Sequence, residues 1–386
     1  MTPLRIGIVA AEPSGDLLAA GLMNALRKRL PDVQFEGVAG PLMSASGMDA
    51  WEPMDSLSVM GLFEVLKHLP RLFRLRSHLR ERWRDAPPAA FIGVDAPDFN
   101  LDLECSLRDA GVPTVHYVSP TVWAWRTGRV RQLRRAADLL LTIFPFETAF
   151  LARHGIAAHY VGHPLALEMP MQPDRGAARE TLGLQPDRPV LALLPGSRGS
   201  EVGRLARPFL HAAAALRQRL PGLQVVVPLV TERTEALFAE RLRRMTPSFD
   251  VVLARNASRL ALAAADVVLT ASGTATLEAL LSKRPMVVGY KLQGATYAVA
   301  RMFNLVKTPH IAMANLLAGE RLAPELIQGE CEPAHLLPPL LEFFQDERLR
   351  ERIAERYAEI HRELRTDTNQ EAARAVVELL RGRGIV

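Results

Sequence analysis

Cysteine is almost missing from this chain of 386 residues, which carries only Cys105 and Cys331. The two stand far apart, with no CxxC partner and no neighbouring histidine ligand. That excludes a disulfide framework and a structural zinc site, and both thiols are expected to pack as small hydrophobes. Long apolar runs are missing too. The longest, at 139–143 and 191–194, fall far short of the roughly 18 residues that span a bilayer, so no transmembrane helix is expected. Residues 4–11 are too short for a secretory core, carry Arg5 and run into Glu12 and Asp16, so the chain is expected to stay in the cytoplasm. No G-x-G-x-x-G follows the first strand and no G-x-x-x-x-G-K-[ST] occurs anywhere, so a dinucleotide cofactor is disfavoured and an ordinary P-loop is removed. RNP, zinc-finger and helix-turn-helix signatures are also lacking, and nucleic acid is not an expected partner despite the net charge of +5.

What is present is apolar material for two cores: 48% hydrophobic against 23% charged residues, in a chain too long for one core, excludes global disorder and predicts two domains. Short apolar runs at 5–10, 90–94, 114–118 and 139–143 alternate with helical periodicity, the pattern of βαβ units. A first helix is expected to start at Ser14, Gly15 or Asp16, to line up Leu17, Leu18, Leu22 and Leu26, and to stop before Pro31. Five prolines between 163 and 189 mark a linker, interrupted by a short helix over 175–182. The alternation restarts with strands at 190–194, 224–227, 251–253, 267–269 and 286–288. From Pro333 the pattern is Leu-rich charged helix, including 346–364 and 369–380. The reading is α/β, two doubly wound domains over 1–165 and 166–345 whose strand C-termini face a cleft. Helices of 346–386 brace the domains and pack back toward the first.

Several strand ends carry chemistry. Ala11-Glu12-Pro13-Ser14-Gly15-Asp16 can be a loop whose glycine admits a ligand and whose helix start holds an anion; equally, Ser14 or Asp16 can simply cap the helix. The 90–94 strand ends in Asp95-Ala96-Pro97-Asp98-Phe99-Asn100. Asp95 would emerge at the sheet edge where catalytic groups sit, whereas Asp98 or Asn100 would cap the next helix; we favour chemistry for Asp95 and capping for Asp98. In Ser119-Pro120-Thr121-Val122-Trp123-Ala124-Trp125-Arg126 the two tryptophans are expected to point oppositely, one into the core and one toward a sugar or acyl chain.

In the second half, Pro195-Gly196-Ser197-Arg198-Gly199-Ser200-Glu201 offers backbone N–H groups, a helix dipole and a guanidinium fork that suit a pyrophosphate, the alternative being a helix start with an exposed Arg. Thr270-Ala271-Ser272-Gly273-Thr274 makes a second anion-binding helix start, and Glu278 one turn on can accept two hydrogen bonds from a vicinal diol such as a ribose. Thr274 and Glu278 can also belong to a plain capped helix. Over 58–84, Val59, Met60, Leu62, Phe63, Leu66, Leu69 and Phe73 stand among Lys67, Arg71, Arg74, Arg76, Arg80, Arg82 and Arg84. This segment reads either as an amphipathic helix on its own core, broken near Pro70, or as an apolar wedge on an anionic membrane. Arg126, Arg129, Arg131, Arg134 and Arg135 form a second basic run, a solvated face or a phosphate attractor.

Taken in order, Glu12-x-Ser14-Gly15-Asp16, Val38-Ala39-Gly40-Pro41, Val59-Met60-Gly61, Asp95-Ala96-Pro97-Asp98-Phe99-Asn100, Tyr117-Val118-Ser119-Pro120-x-Val122-Trp123-Ala124-Trp125-Arg126, Leu194-Pro195-Gly196-Ser197-Arg198, Ser272-Gly273-Thr274 and Asn315-Leu316-Leu317-Ala318-Gly319 closely resemble lipid-A-disaccharide synthase. The match runs nearly end to end. It departs at Ala11-Glu12-Pro13, where the family pattern has Gly-Glu and a small residue. The resemblance implies a GT-B glycosyltransferase with two Rossmann-like domains, 1–165 for the acceptor and the membrane and 166–345 for the donor. It implies joining of UDP-2,3-diacylglucosamine to 2,3-diacylglucosamine 1-phosphate (lipid X) by a β-1,6 linkage, with inversion and release of UDP. By this resemblance Asp95 would deprotonate the acceptor hydroxyl. Gly196, Ser197, Arg198, Ser272, Gly273, Thr274, Glu278, Asn315 and Gln370 would hold the donor, and Glu12, Ser14 and Asn100 would lie on the acceptor side. No metal and no other cofactor is implied, and no Asp-x-Asp triplet occurs. The implied partners are the two lipid substrates and the cytoplasmic face of the inner membrane; oligomeric state is left open, a homo-oligomer included. The rival readings are a UDP-sugar epimerase or hydrolase using the same phosphate loops, and a binding protein without turnover.

Overall fold

The computed structural model describes residues 3–57, 62–122, 127–245, 249–292 and 310–386; the side chains of 62–69 and 127 also lie outside the described set. The chain forms two compact units, Met1–Pro164 with Leu364–Val386, and Leu165–Glu363. Among the described residues no helix is long and apolar enough to cross a membrane.

The first unit is built on seven parallel strands, β1 (Arg5–Ala10), β2 (Gln34–Ala39), β3 (Asp49–Pro53), β4 (Ala90–Val94), β5 (Thr114–Tyr117), β6 (Leu139–Thr142) and β7 (Ala158–Tyr160), in the order β3-β2-β1-β4-β5-β6-β7. The central strands are legible as continuous apolar runs because helices cover both faces of a parallel sheet. β2, β3 and β7 lack that signal: Glu36 and Gly37 interrupt β2, and β3 and β7 are partly exposed strands at the sheet edges.

Helix α1 (Pro13–Arg29) starts at Pro13, earlier than expected, since proline suits a first turn whose N–H needs no partner. Asp16 does not cap its own helix. It is buried and accepts the N–H groups of Leu42 and Met43, both at 2.9 Å, so it caps α2 (Pro41–Ala45) instead. Helix α3 (Leu62–Asp85) runs unbroken through Pro70, contrary to expectation. Its described second half is held by Leu75, Leu79 and Trp83, spaced four apart and buried against the sheet. The Trp83 indole takes the space over Gly7, where a Cβ would come within 2.9 Å of the ring, and donates to Glu36 at 3.0 Å. Helices α4 (Pro97–Asp109) and α5 (Val130–Ala136) follow. The last helix, Thr368–Gly382, packs Ala372, Val376 and Leu380 into the same core as Leu22 and Leu26 of α1.

The second unit has six parallel strands, β8 (Val190–Leu194), β9 (Gln224–Leu229), β10 (Val252–Arg255), β11 (Val267–Thr270), β12 (Met286–Tyr290) and β13 (Glu325–Ile327), in the order β10-β9-β8-β11-β12-β13. β13, a half-buried edge strand, was not foreseen. The short helix Arg175–Thr181 occurs as expected and carries the fully buried Arg179. Its guanidinium donates to the Ala264 carbonyl at 3.0 Å and to Asp266 at 2.9 Å, so burial of the cation is compensated by a partner of opposite charge.

Candidate active site

In the first sheet the chain order reverses between β1 and β4, and a doubly wound sheet offers ligands the loops that leave the strands at that point. These are the Glu12 and Asp95 loops, which leave the paired strand ends Ala10 and Val94; a Cβ on Gly15 of α1 would lie 3.5 Å from the Val94 side chain and 3.7 Å from its carbonyl. Glu12 and Ser14 are exposed there, at the start of α1.

Asp95 sits on a strained turn. Its φ is +50°, that of Ala96 is +42°, and on the adjacent strand end Val118 stands at +75°. Left-handed backbone costs a non-glycine residue about 1–3 kcal/mol and persists only where the surroundings over-determine it. Here the Asp95 N–H donates to the Tyr117 carbonyl at 2.8 Å, and the Asn100 amide donates to the carbonyls of Asp95 at 2.8 Å and Val94 at 3.3 Å. Asn100 is fully buried and brackets this turn rather than capping a helix. Asp98, expected as the cap, is exposed and pairs with Arg129; the N-cap position belongs to Ala96.

Beneath the turn, sequence reasoning missed Glu104 and His116. Both are fully buried, with Nδ1 of His116 2.7 Å from a Glu104 oxygen. Burial raises the Glu104 carboxyl above the usual carboxylate range, against the lowering effect of His116. Among the described residues Asn100 Oδ1, Glu104 Oε2 and His116 Nε2 have no partner, and each such group costs about 1–3 kcal/mol. The available signal was spacing: Asn100 and Glu104 stand one turn apart on the face of α4 that meets the sheet.

The two basic runs meet in space. Arg76 and Arg80 of α3 and Arg131 and Arg135 of α5 line a groove of about 680 Å3 over α4, together with Asp102 and Gln132. Arg76 is paired with Asp102 at 2.6 Å. Phe73 is exposed, with the Arg76 guanidinium 5.0 Å from its ring. Val59, Met60, Trp123, Trp125 and Arg126 lie outside the described residues, as do the side chains of Leu62, Phe63, Leu66 and Leu69.

In the second sheet the reversal falls between β8 and β11, so the Gly196 and Ser272 loops lie side by side, linked by the Ala271 N–H to the Leu194 carbonyl at 2.8 Å. Gly196 has φ +110°, and a Cβ there would come within 2.5 Å of Glu201. Glu201 accepts the N–H groups of Ser197 and Arg198 at 3.1 and 3.2 Å, so two donors expected for a pyrophosphate are already engaged. At the start of helix Gly199–Arg219 the N–H groups of Gly199 and Ser200 carry no hydrogen bond among the described residues, and the Arg198 guanidinium is exposed. In the other loop Gly273 has φ +134° and open space where a Cβ would stand, Thr274 is exposed, and the Ser272 hydroxyl donates to the Ile311 carbonyl at 3.0 Å. Glu278 is partly buried, and desolvation raises its carboxyl above the usual range, partly offset by Arg259.

Asn315 is fully engaged inside this unit. Its amide donates to the Ala323 carbonyl at 2.7 Å and to Glu325 at 2.8 Å and accepts the Ala323 N–H at 2.8 Å, while Glu325 accepts the N–H groups of Ile311 and Ala312. Asn315 therefore shapes the loop that Ser272 leans on. Gln370 belongs to the first unit, where it accepts from Arg29 at 3.3 Å; the other eight donor-side candidates belong to the second.

The family model for lipid-A-disaccharide synthetase matches residues 6–378. Lipid-A-disaccharide synthases of Aeromonas hydrophila and Yersinia pestis are 48% and 47% identical to this chain over 98% of its length, which covers 99% and 95% of theirs. That of Shigella boydii is 46% identical over 98% of both chains. Among solved structures, the UDP-GlcNAc 2-epimerase of Neisseria meningitidis bound to UDP-GlcNAc superposes with TM-score 0.61 at 12% identity, covering 98% of this chain and 100% of that one. A spinosyn rhamnosyltransferase gives 0.58 at 14%, with the same coverage. Such distant likeness shows the fold alone, the GT-B architecture of two parallel-sheet α/β domains with C-terminal helices. Matched nearly end to end by the family model and by relatives close to half identical, the chain belongs to the lipid-A-disaccharide synthase family, glycosyltransferases of lipid A biosynthesis.

Proposed function

We propose that this enzyme transfers the diacylglucosaminyl group of UDP-2,3-diacylglucosamine to the 6-hydroxyl of 2,3-diacylglucosamine 1-phosphate, with inversion at the anomeric carbon and release of UDP. The observation that carries this reading is the placement of Asp95: a carboxylate on a strained turn at the switch point of the first sheet, with both phosphate-loop candidates at the switch point of the second. Asp95 takes the proton from the acceptor hydroxyl as it attacks C1 of the donor sugar, and the C1–O bond to the diphosphate breaks with its electron pair leaving on UDP. Arg198, the open N–H groups of Gly199 and Ser200, and the Ser272-Gly273-Thr274 turn stabilise the departing diphosphate. Glu278 accepts from the ribose hydroxyls, Asn315 acts through the Ile311 loop, and Gln370 is a further donor-side residue, on the last helix. Glu12 and Ser14 flank the acceptor beside Asp95.

Residues 1–165 take the acceptor and 166–345 the donor in this reading. Burying one methylene is worth about 0.8 kcal/mol, so diacylated substrates favour catalysis at a membrane surface. Exposed Phe73 on α3, and the groove lined by Arg76 and Arg80 of the same helix with Arg131 and Arg135, support docking on the cytoplasmic face of the inner membrane.

A mass-resolved assay in detergent, with donor alone and with both substrates, tests the reading. Disaccharide and UDP formed only with both are expected. UDP released without acceptor would instead indicate an epimerase or hydrolase, and UDP binding without turnover a binding protein.

A further inference from the structure

We propose that Glu104 and His116 are positioning residues that hold the Asp95 turn in its left-handed conformation through Asn100; the inference rests on the assignment of Asp95 as the base. Gly93 stands opposite His116 in the β4–β5 register, two residues before Asp95. Asn100 and Glu104 press on Gly93 from α4: a Cβ there would collide with the Glu104 carboxylate and come within 2.9 Å of the Asn100 Cβ. The turn is thus gripped on both sides, its N–H by the carbonyl of Tyr117, next to His116, and its carbonyl by Asn100, one turn from Glu104.

The 2.7 Å contact between His116 and Glu104 ties α4 to β5, the two elements that supply those grips. An apolar pair of the same volume would bury at least as favourably, but it would leave the helix free to slide by fractions of an ångström. A directional hydrogen bond between buried polar groups fixes that distance. Loss of the bond lets Asp95 and Ala96 relax toward negative φ and moves the carboxylate away from the acceptor hydroxyl, without touching either substrate. The effect belongs in kcat.

The test is steady-state transfer by the full chain with both lipid substrates in detergent, comparing Asp95→Ala, Glu104→Leu, Glu104→Gln, His116→Leu and His116→Asn. A misplacement near 1 Å reduces rate by about 100-fold, the loss expected in kcat for both leucine variants, with both KM values and UDP affinity unchanged. Glu104→Gln and His116→Asn keep an oxygen and an N–H at the contact and are expected to recover most of that loss. Leucine variants that fold, bind UDP and keep wild-type kcat would overturn the inference. So would losses that appear in KM, or conservative variants no better than leucine. If the leucine variants do not fold, kcat of the two conservative variants decides: a loss as deep as that of Asp95→Ala overturns the proposal. An active Asp95→Ala would sink the base assignment itself, whereas an inactive one beside unaffected leucine variants would sink only the positioning role.

Discussion

Asp95 shows what a single residue's surroundings add to its chemistry. A carboxylate at a strand end was legible in the sequence; its left-handed backbone and the buried Asn100 bracket were not, because both depend on β5 and α4. Asp95→Ala removes the proposed general base and is expected to lower kcat by about 10²–10⁴-fold, with UDP affinity by calorimetry unchanged. Gly196 carries the matching constraint in the second unit. Gly196→Ala forces a side chain into φ +110° and against Glu201, so a loss of about 1–3 kcal/mol in chemical denaturation is expected, together with weaker UDP binding. In the proposed donor site Glu278 accepts both hydroxyls of the ribose best as a carboxylate, since protonation turns one oxygen into a donor, and burial raises its carboxyl above the usual range. Uridine, which has no titrating phosphate, should therefore bind more weakly as pH falls and this carboxyl takes up its proton, and Glu278→Gln should bind weakly with no such slope.

At the scale of elements, amphipathic periodicity announced α3 but not its path. Pro70 reads as a break, yet the helix continues, since leucines and a tryptophan on the following turns anchor it to the sheet and outweigh the lost hydrogen bond. Its residues divide by exposure. Leu79→Ala should cost about 2–5 kcal/mol of stability, because Leu79 is fully buried. Phe73→Ser should change stability by no more than about 0.5 kcal/mol while reducing salt-sensitive cosedimentation with anionic liposomes; undiminished binding would remove Phe73 from the docking surface. The Asp16 signal was misread for the same reason Pro70 was: a capping residue is recognisable, but the helix it caps is chosen by packing, here α2 across from α1.

At the scale of the whole molecule, the return of the C-terminal segment to the first unit places His163 beside Leu364, its N–H donating to the Leu364 carbonyl at 3.2 Å. Burial lowers the His163 imidazole to about 4 from 6.5. The folded state then binds this proton less readily than the unfolded chain, so the stabilisation is full above pH 6.5 and is lost as pH falls toward 4. About 2 kcal/mol should be gone at pH 5, measurable as a fall in Tm that His163→Gln flattens. By itself the sequence determined the α/β class, nine of the strands (β1, β4–β6 and β8–β12), the C-terminal helices and the motif strings that mark the family, because apolar periodicity and strand-end chemistry are local properties. The tertiary structure alone decided strand order, and with it which motifs share a switch point. It also decided the inner strand β2 and the edge strands β3, β7 and β13, the strain at Asp95, and the burial of Glu104 against His116. Those features arise from hydrogen bonds and packing between segments distant in the chain, which no local pattern encodes.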